Sequence, residues 1–301
     1  MRALVVTPDA PSCLALTEVA DPAPTPDQVL VEVEHVSLNH GELLLARTGT
    51  TAPGVVHGWD AAGVVARTAG NGSGLAVGDR VLTFGTSGAW AQRRAVPVAE
   101  VAVVPDGVDL PVAATLPVAG VTALRALRRS GTLLARRVLV TGASGGVGRI
   151  AVQLAARAGA HVIASARRTD GLAELGAHQV IANLDDLAPE SVDVVVENVG
   201  GDQLVRAWRA LAPGGVIQSI GYTSGGPAAF PAYTTVGPAK SLTSFYMGPG
   251  LGADMAYLLD LVATGALAVH VGWRGPWQRY DEAANALVNR EVNGKVVLDV
   301  D

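Results

Sequence analysis

Thr141 to Gly148 reads TGASGGVG, residue types and a spacing suited to holding the phosphates of a dinucleotide. The motif follows an apolar run, Arg137–Thr141, and opens an amphipathic helix, Val147–Ala158, the context that such a loop requires. Gly145 lets backbone approach a pyrophosphate, Gly146 and Val147 lead into the helix, and Gly148 permits close packing of helix on strand. Ala143, followed by Ser144, stands where a strict GxGxxG pattern has its first glycine, and a methyl group fits many such turns. Unpaired N–H groups and the positive dipole end of the helix favour phosphate there. A glycine-rich turn that binds nothing is the bland alternative, and the strand–helix units that follow in register weigh against it.

The next strand ends in Ser165, then Ala166, Arg167 and Arg168. An NAD-selective site places an acid here to bond the ribose 2′-OH. A carboxylate would repel a 2′-phosphate, whereas Ser165 can hydrogen-bond it and Arg167 and Arg168 can grip it by charge-assisted bonds. The expected cofactor is NADPH.

The elements that must position these residues fall into two groups. Up to about residue 110 the chain reads as short strands between Gly/Pro turns. Val29, Val31 and Val33 alternate with Leu30, Glu32 and Glu34, and NGSG at 71–74 and PDG at 105–107 punctuate further runs. That pattern implies a β-barrel or sandwich. Beyond Pro111, helix Val121–Arg129 leads into apolar strands alternating with helices. These are strand Arg137–Thr141, helix Val147–Ala158, strand His161–Ala164, a short helix ending at Gly176, and strands Gln179–Ile181 and Asp193–Glu197. A helix carrying Leu204, Trp208 and Leu211 follows, stopped by Pro213-Gly214-Gly215, and strands Val216–Ile220 and Ser241–Phe245 close the series. Such alternation indicates a parallel doubly wound sheet. Helix Ala253–Thr264, Leu267–Val271, a helix near Asp281–Asn289 and strand Gly294–Val300 end the chain. The fold class is α/β, with a β domain over 1–112 and 251–301 and a nucleotide-binding domain over 113–250.

With 301 residues, 49% hydrophobic and 16% charged, the chain has ample core material. Its net charge of −5 lacks a basic run and speaks against nucleic acid. A single cysteine, Cys13, forbids an internal disulfide and a cysteine-based zinc cluster. The N-terminus shows no signal-peptide pattern. The uncharged stretch 212–239 holds six glycines and four prolines and cannot be a spanning helix. A soluble, cytoplasmic protein is expected.

TGASGGVG also fits the loop of short-chain dehydrogenases, which pair it with Tyr-x-x-x-Lys. The two lysines, Lys240 and Lys295, have Val236 and Glu291 four residues upstream, so that pair does not exist. The whole chain instead resembles the zinc-independent quinone oxidoreductase and enoyl reductase branch of the medium-chain dehydrogenase/reductase superfamily. The carrying segments include VSLNHGELLLARTG (36–49), HGWDAAGVV (57–65), VGDRV (77–81), LPVAGVTAL (116–124), LGAHQVI (175–181), DVVVENVGG (193–201) and GKVVL (294–298). The resemblance implies a GroES-like β-barrel domain plus a Rossmann domain, with the active cleft between them at the carboxyl ends of the sheet strands.

It also implies the site. Asn39 and His40, on the loop after a first-domain strand, are the catalytic candidates, with His40 either a proton donor or a loop histidine without a role. Trp59 and Tyr246 would shape the substrate pocket. Asn198, Gly200, Gly221 and Tyr222 resemble the loops that hold the nicotinamide ribose, and Phe245 and Tyr246 lie in the segment facing the nicotinamide amide. Lys295 either contacts cofactor or, by a narrow preference, caps a surface strand. Trp273 and Trp277 belong to a segment that departs from the family and serve a pocket, an interface or the core. His35 shares the Val29/Val31/Val33 face and reads as a half-buried, satisfied histidine.

Zinc-dependent members carry Cys and His where Asn39 and Trp59 stand, so no metal is expected. Without a Lewis acid, hydride attack on a plain ketone would leave a localised alkoxide poorly stabilised, whereas attack on an enone or quinone gives a delocalised anion. The expected activity is NADPH-dependent reduction of an activated C=C or a quinone, with polyketide or other secondary-metabolite tailoring as a setting. The alternatives are one-electron quinone reduction in detoxification and a non-enzymatic NADPH-binding relative. Pairing through Ser241–Phe245 would make a homodimer.

Overall fold

The computed structural model describes residues 1–70, 72, 74–237 and 239–301. Asn71 and Ser73 of the NGSG turn lie outside the described residues, as does Pro238. The chain divides into two compact units, Met1–Val121 with Gly248–Asp301, and Thr122–Met247.

The first unit is built around the eleven-residue strand Gln28–Leu38. Its buried Val29, Val31 and Val33 alternate with more exposed neighbours, as the period-2 pattern requires. Strand Asp60–Arg67 runs antiparallel along one edge. The other edge is shared: Arg93–Pro97 covers its first half and Lys295–Asp299 its second. Register shifts at Leu30/Val31 and Val33/His35 bend the strand enough to accommodate both partners. Arg80–Phe84 and Val101–Val103 extend the sheet on one side, and Val271–Pro276 adds a parallel strand beside Lys295–Asp299. Leu38, Leu43, Trp90 and Trp277 lie in one buried cluster of this unit.

This pairing brings three strand ends together. Ser37 lies opposite Asp60 and Leu38 opposite Val296. Asn39, Asp60 and Lys295, far apart in sequence, therefore meet at one corner of the sheet.

The second unit is a six-stranded parallel sheet in the order 179–181, 161–165, 137–141, 192–197, 211–219, 241–244. This is the doubly wound strand order with the first strand central. Leu139, Ile163, Val195 and Ile217 pack with Leu204, Ala207 and Trp208 of helix Gly201–Ala210.

Several local expectations are corrected. Residues 170–176 are turns, since Gly171 and Gly176 at either end take positive φ and the stretch between them is too short to hold a helix. The helix carrying Leu204 and Trp208 ends at Ala210, and Leu211 already pairs with Val192 in the sheet. Val216 pairs with Val194, so Pro213-Gly214-Gly215 forms a bulge within a strand and does not terminate the helix. The helix expected from Val121 begins at Leu116, because Pro117 is tolerated in a first turn. After the stretch Leu267–Val271, strand Val271–Pro276 begins at its last residue. Trp277 is fully buried in the core of its unit, and Trp273 packs half-buried against the same cluster.

Leu139 is fully buried on the central strand. Leu139→Ala is expected to cost about 2–5 kcal/mol, read as a lowered urea midpoint with an unchanged m-value.

Candidate functional site

In the parallel-sheet unit, strand Arg137–Thr141 delivers the chain to a turn in which Gly142 has φ +59°. Ala143 is fully buried, and its N–H donates to Ser165 O at 3.0 Å, tying the turn to the next strand. Ser144 is half-buried between them. Helix Gly146–Arg157 follows, with Gly145 as its extended N-cap. The Arg149 N–H donates to Gly145 O, so the amides of Gly146, Val147 and Gly148 have no intrahelical carbonyl to bond. A Cβ on Gly148 would lie 2.4 Å from Gly142 O and 2.6 Å from Ala143 Cα, so only glycine allows this closeness of helix to turn. The loop has the free amides and bare backbone that a pyrophosphate requires.

Of the remaining cofactor candidates, Asn198 and Ser165 lie directly against this turn. Asn198 N donates to Thr141 Oγ1 at 2.9 Å, and Asn198 Nδ2 donates to Thr141 O at 2.8 Å. Its Oδ1 is buried without a partner, an acceptor available to a ligand. Gly221 lies against Asn198, and Gly200 against the Tyr222 ring, which is half exposed. Ser165 is buried at its strand end, Arg168 is half-buried and Arg167 exposed just beyond. Phe245 bonds Ser219 O through its N–H and lies under the Arg129 guanidinium at 5.0 Å, while Tyr246 is largely exposed.

Glu197, which the sequence reading passed over, holds this arrangement from beneath. It is fully buried, accepting from Thr141 Oγ1 at 3.0 Å, Val199 N at 2.9 Å and Gly200 N at 3.0 Å. Burial raises its pKa, against the hydrogen bonds from Val199, Gly200 and Thr141. An acid ending a run of three valines in VDVVVE was the available signal.

In the β-rich unit, Asn39 links strand Gln28–Leu38 to helix His40–Arg47. His40 opens that helix and is not a loop residue. Burial, then Arg290 and Arg47, lower its pKa. Asn39 Nδ2 donates to Asp60 Oδ2 at 2.8 Å, and Asn39 Oδ1 accepts from Lys295 Nζ at 2.5 Å. Lys295 also donates to Leu38 O at 3.3 Å and stands 3.7 Å from Asp60 Oδ2. The expected surface-strand cap is corrected, since Lys295 is only 4% exposed. Val118 N donates to Asp60 Oδ1 at 3.1 Å. Glu42, fully buried, accepts from Asn39 N at 2.5 Å and Trp59 N at 2.6 Å. Trp59 packs close to Gly41, within reach of the start of helix His40–Arg47. His35 bonds Asp299 through Nδ1 at 2.8 Å and is half-buried, as its strand face suggested.

Four charged side chains are thus buried together or nearby: Glu42, Asp60, Lys295 and Arg94, which spends its guanidinium on Trp59 O, Thr83 Oγ1 and Ser87 O. Burial lifts Glu42 to about 8, with Asp60 adding to the rise and Lys295 opposing it, and lifts Asp60 to about 6. Burial likewise lowers Lys295. The corner does not fit a zinc ion: an ammonium already occupies the amide oxygen and faces Asp60, and the remaining donors lack a thiolate. His57 turns Nε2 to Glu42 O. Among the described residues, no group of three or more His, Cys, Asp or Glu side chains is placed to hold a metal ion.

Because Glu42 titrates near 8 when folded and near 4.5 when exposed, the folded state keeps a proton that the unfolded chain has released. Stability therefore falls as pH rises through that window. Wild type should lose more urea-midpoint stability between pH 5 and pH 8 than Glu42→Gln, and parallel losses would refute the assignment.

Comparison with known proteins gives this geometry a family. Residues 25–106 match the alcohol dehydrogenase GroES-like domain family, and residues 146–264 match the family described as zinc-binding dehydrogenase. The chain is 31% identical over 217 residues to a low-reducing polyketide synthase of Aspergillus calidoustus, which covers 67% of the chain but only 9% of the synthase. It is 32% identical over 223 residues to a quinone oxidoreductase of Pongo abelii, covering 68% of each. A mycobacterial protein solved in complex with NADPH superposes with a TM-score of 0.88 at 26% identity, covering 99% of this chain and 100% of that one. No described helix is long and apolar enough to cross a membrane. With matching domain families, a parallel sheet in the doubly wound order and this degree of identity, the chain belongs to the quinone oxidoreductase branch of the medium-chain dehydrogenase/reductase superfamily.

Proposed function

We propose that this protein is a zinc-independent, NADPH-dependent reductase acting on an activated C=C of an α,β-unsaturated carbonyl or on a quinone. The observation that carries the reading is the corner at Asn39, where a fixed carboxamide and a buried ammonium stand in place of a metal-ligand set. Such a corner offers a hydrogen bond to an oxygen but no Lewis acid. It suits an acceptor whose reduction gives a delocalised enolate or phenolate more than a plain ketone.

The amides of Gly146, Val147 and Gly148 would take the pyrophosphate, and Asn198, Gly200, Gly221 and Tyr222 the nicotinamide ribose. Phe245 and Tyr246 would flank the nicotinamide. Ser165, Arg167 and Arg168 would take the 2′-phosphate. When bound, NADPH supplies the hydride. Asn39 donates its amide N–H to the acceptor oxygen as charge develops there. His40, with its pKa lowered by burial, stays neutral near pH 7 and is a hydrogen-bond donor more than a full acid. Trp59 supplies apolar surface to a planar acceptor beside the Asn39 corner. The match to part of a polyketide synthase supports polyketide tailoring as the setting.

Strand Ser241–Ser244 is an exposed sheet edge with Leu242 on it. That supports pairing with a second copy as a homodimer. A lone unpaired Cys13 is in keeping with a reducing, cytoplasmic setting.

Arg167→Ala with Arg168→Ala should weaken NADPH binding about tenfold or more, the scale of a lost charge-assisted bond, while NADH binding shifts little. Fluorescence titration of both nucleotides measures this. Equal losses would contradict the 2′-phosphate role.

A further inference from the structure

Two side chains at the Asn39 corner have no task in the reaction outlined above, yet both are buried and charged. An ion pair taken out of water rarely stabilises a fold more than apolar side chains of the same volume would. Lys295 and Asp60 nevertheless sit at 4% and 0% exposure, their charged atoms 3.7 Å apart. What they share is Asn39. Lys295 can only donate and places Nζ on Oδ1. Asp60, ionised beside that ammonium, can only accept and takes a proton of Nδ2.

A carboxamide has two nearly isosteric orientations. Here one of them makes two charge-assisted hydrogen bonds. The flipped one would set Oδ1 against a carboxylate and NH₂ against an ammonium. Main chain holds both clamping groups in turn, through Leu38 O on Lys295 and Val118 N on Asp60. Glu42 fixes the backbone of Asn39 by accepting its N–H. The carboxamide is pinned at both ends, and one Nδ2 proton remains beyond the bond to Asp60. The ammonium on Oδ1 draws electron density from the amide and strengthens that remaining N–H as a donor.

We propose that Lys295 and Asp60 are positioning residues that lock the Asn39 carboxamide in one orientation, so that its second Nδ2–H is presented to the carbonyl oxygen of the acceptor. This rests on the reductase reading for the identity of the acceptor, and on the geometry of the corner alone for the locking.

The test joins a spectroscopic readout to kinetics on the full chain, using Asn39→Ala, Lys295→Met, the near-isosteric Asp60→Asn, and the double variant Asn39→Ala/Lys295→Met. In protein labelled with ¹⁵N at asparagine side chains, the Asn39 pair, identified by its loss in Asn39→Ala, should show one Nδ2 proton shifted downfield and protected from solvent exchange. Asp60→Asn should abolish that protection. With NADPH and a simple quinone, Lys295→Met and Asp60→Asn should each lower kcat at least tenfold, with KM and the NADPH dissociation constant within about twofold of wild type. The double variant should be no slower than Asn39→Ala, because residues that act through one group are not additive. Losses that add in the double variant, a wild-type kcat in both Lys295→Met and Asp60→Asn, or an Asn39 amide with two equally exchanging protons would each overturn the proposal. If Lys295→Met does not fold, Asp60→Asn alone decides. Should wild type consume no NADPH with any quinone or enone, the reductase reading falls, and the locking stands or falls on the amide spectrum.

Discussion

Everything in the β-rich unit that bears on chemistry depends on keeping one ammonium out of water. Lys295 is buried in a corner where its charge is met by Asp60, Asn39 Oδ1 and Leu38 O. Desolvating a charge is costly, and the cost is offset only when geometry is good and every polar atom is used. The strand Gln28–Leu38, bent by two register shifts and paired on both edges, provides that geometry by aligning the ends of three strands. A cation fixed by the chain itself thus occupies the ground where zinc-dependent relatives would need ligands. The proposed preference for a conjugated acceptor rests on that arrangement.

The parallel-sheet unit solves a related problem with the opposite charge. Glu197 lies at the end of its strand, where three donors from Thr141, Val199 and Gly200 satisfy it. Those donors belong to the loops that flank the glycine turn, so a buried carboxylate sets the positions of both. The orphaned Oδ1 of Asn198 sits at the same place. In each unit a buried charge shapes a loop, and the loop presents a polar group that the fold itself leaves unused.

Much of the fold was legible because it rests on local pattern: period-2 alternation at Val29, Val31 and Val33, apolar strands alternating with amphipathic helices, and TGASGGVG between a strand and a helix. The errors came where local signals compete. Pro213-Gly214-Gly215 reads as a helix stop, yet the helix had already ended and the sheet absorbs the three residues as a bulge. The candidate site was half legible. Glycines carry their reason in sequence, because the close approach of Gly148 to Gly142 is local. Lys295 does not, because its partners Asn39 and Asp60 lie 256 and 235 positions away and only strand pairing unites them. Its rarity in a chain with two lysines was a hint to which spacing gave no meaning. Glu42, three residues after Asn39, reads as an ordinary capping residue until its burial is known.

In the proposed reaction, hydride passes from a nicotinamide to a conjugated acceptor with no metal taking part. The most direct measurement follows deuterium from C4-labelled NADPH, supplied to protein stripped by chelator, into the products of a cyclic enone and of a simple ketone offered side by side. Deuterium is expected at the enone β-carbon at a rate unchanged by chelation, and little on the ketone. Deuterium appearing chiefly at the ketone carbonyl carbon, or activity lost on chelation and restored by zinc, would contradict it.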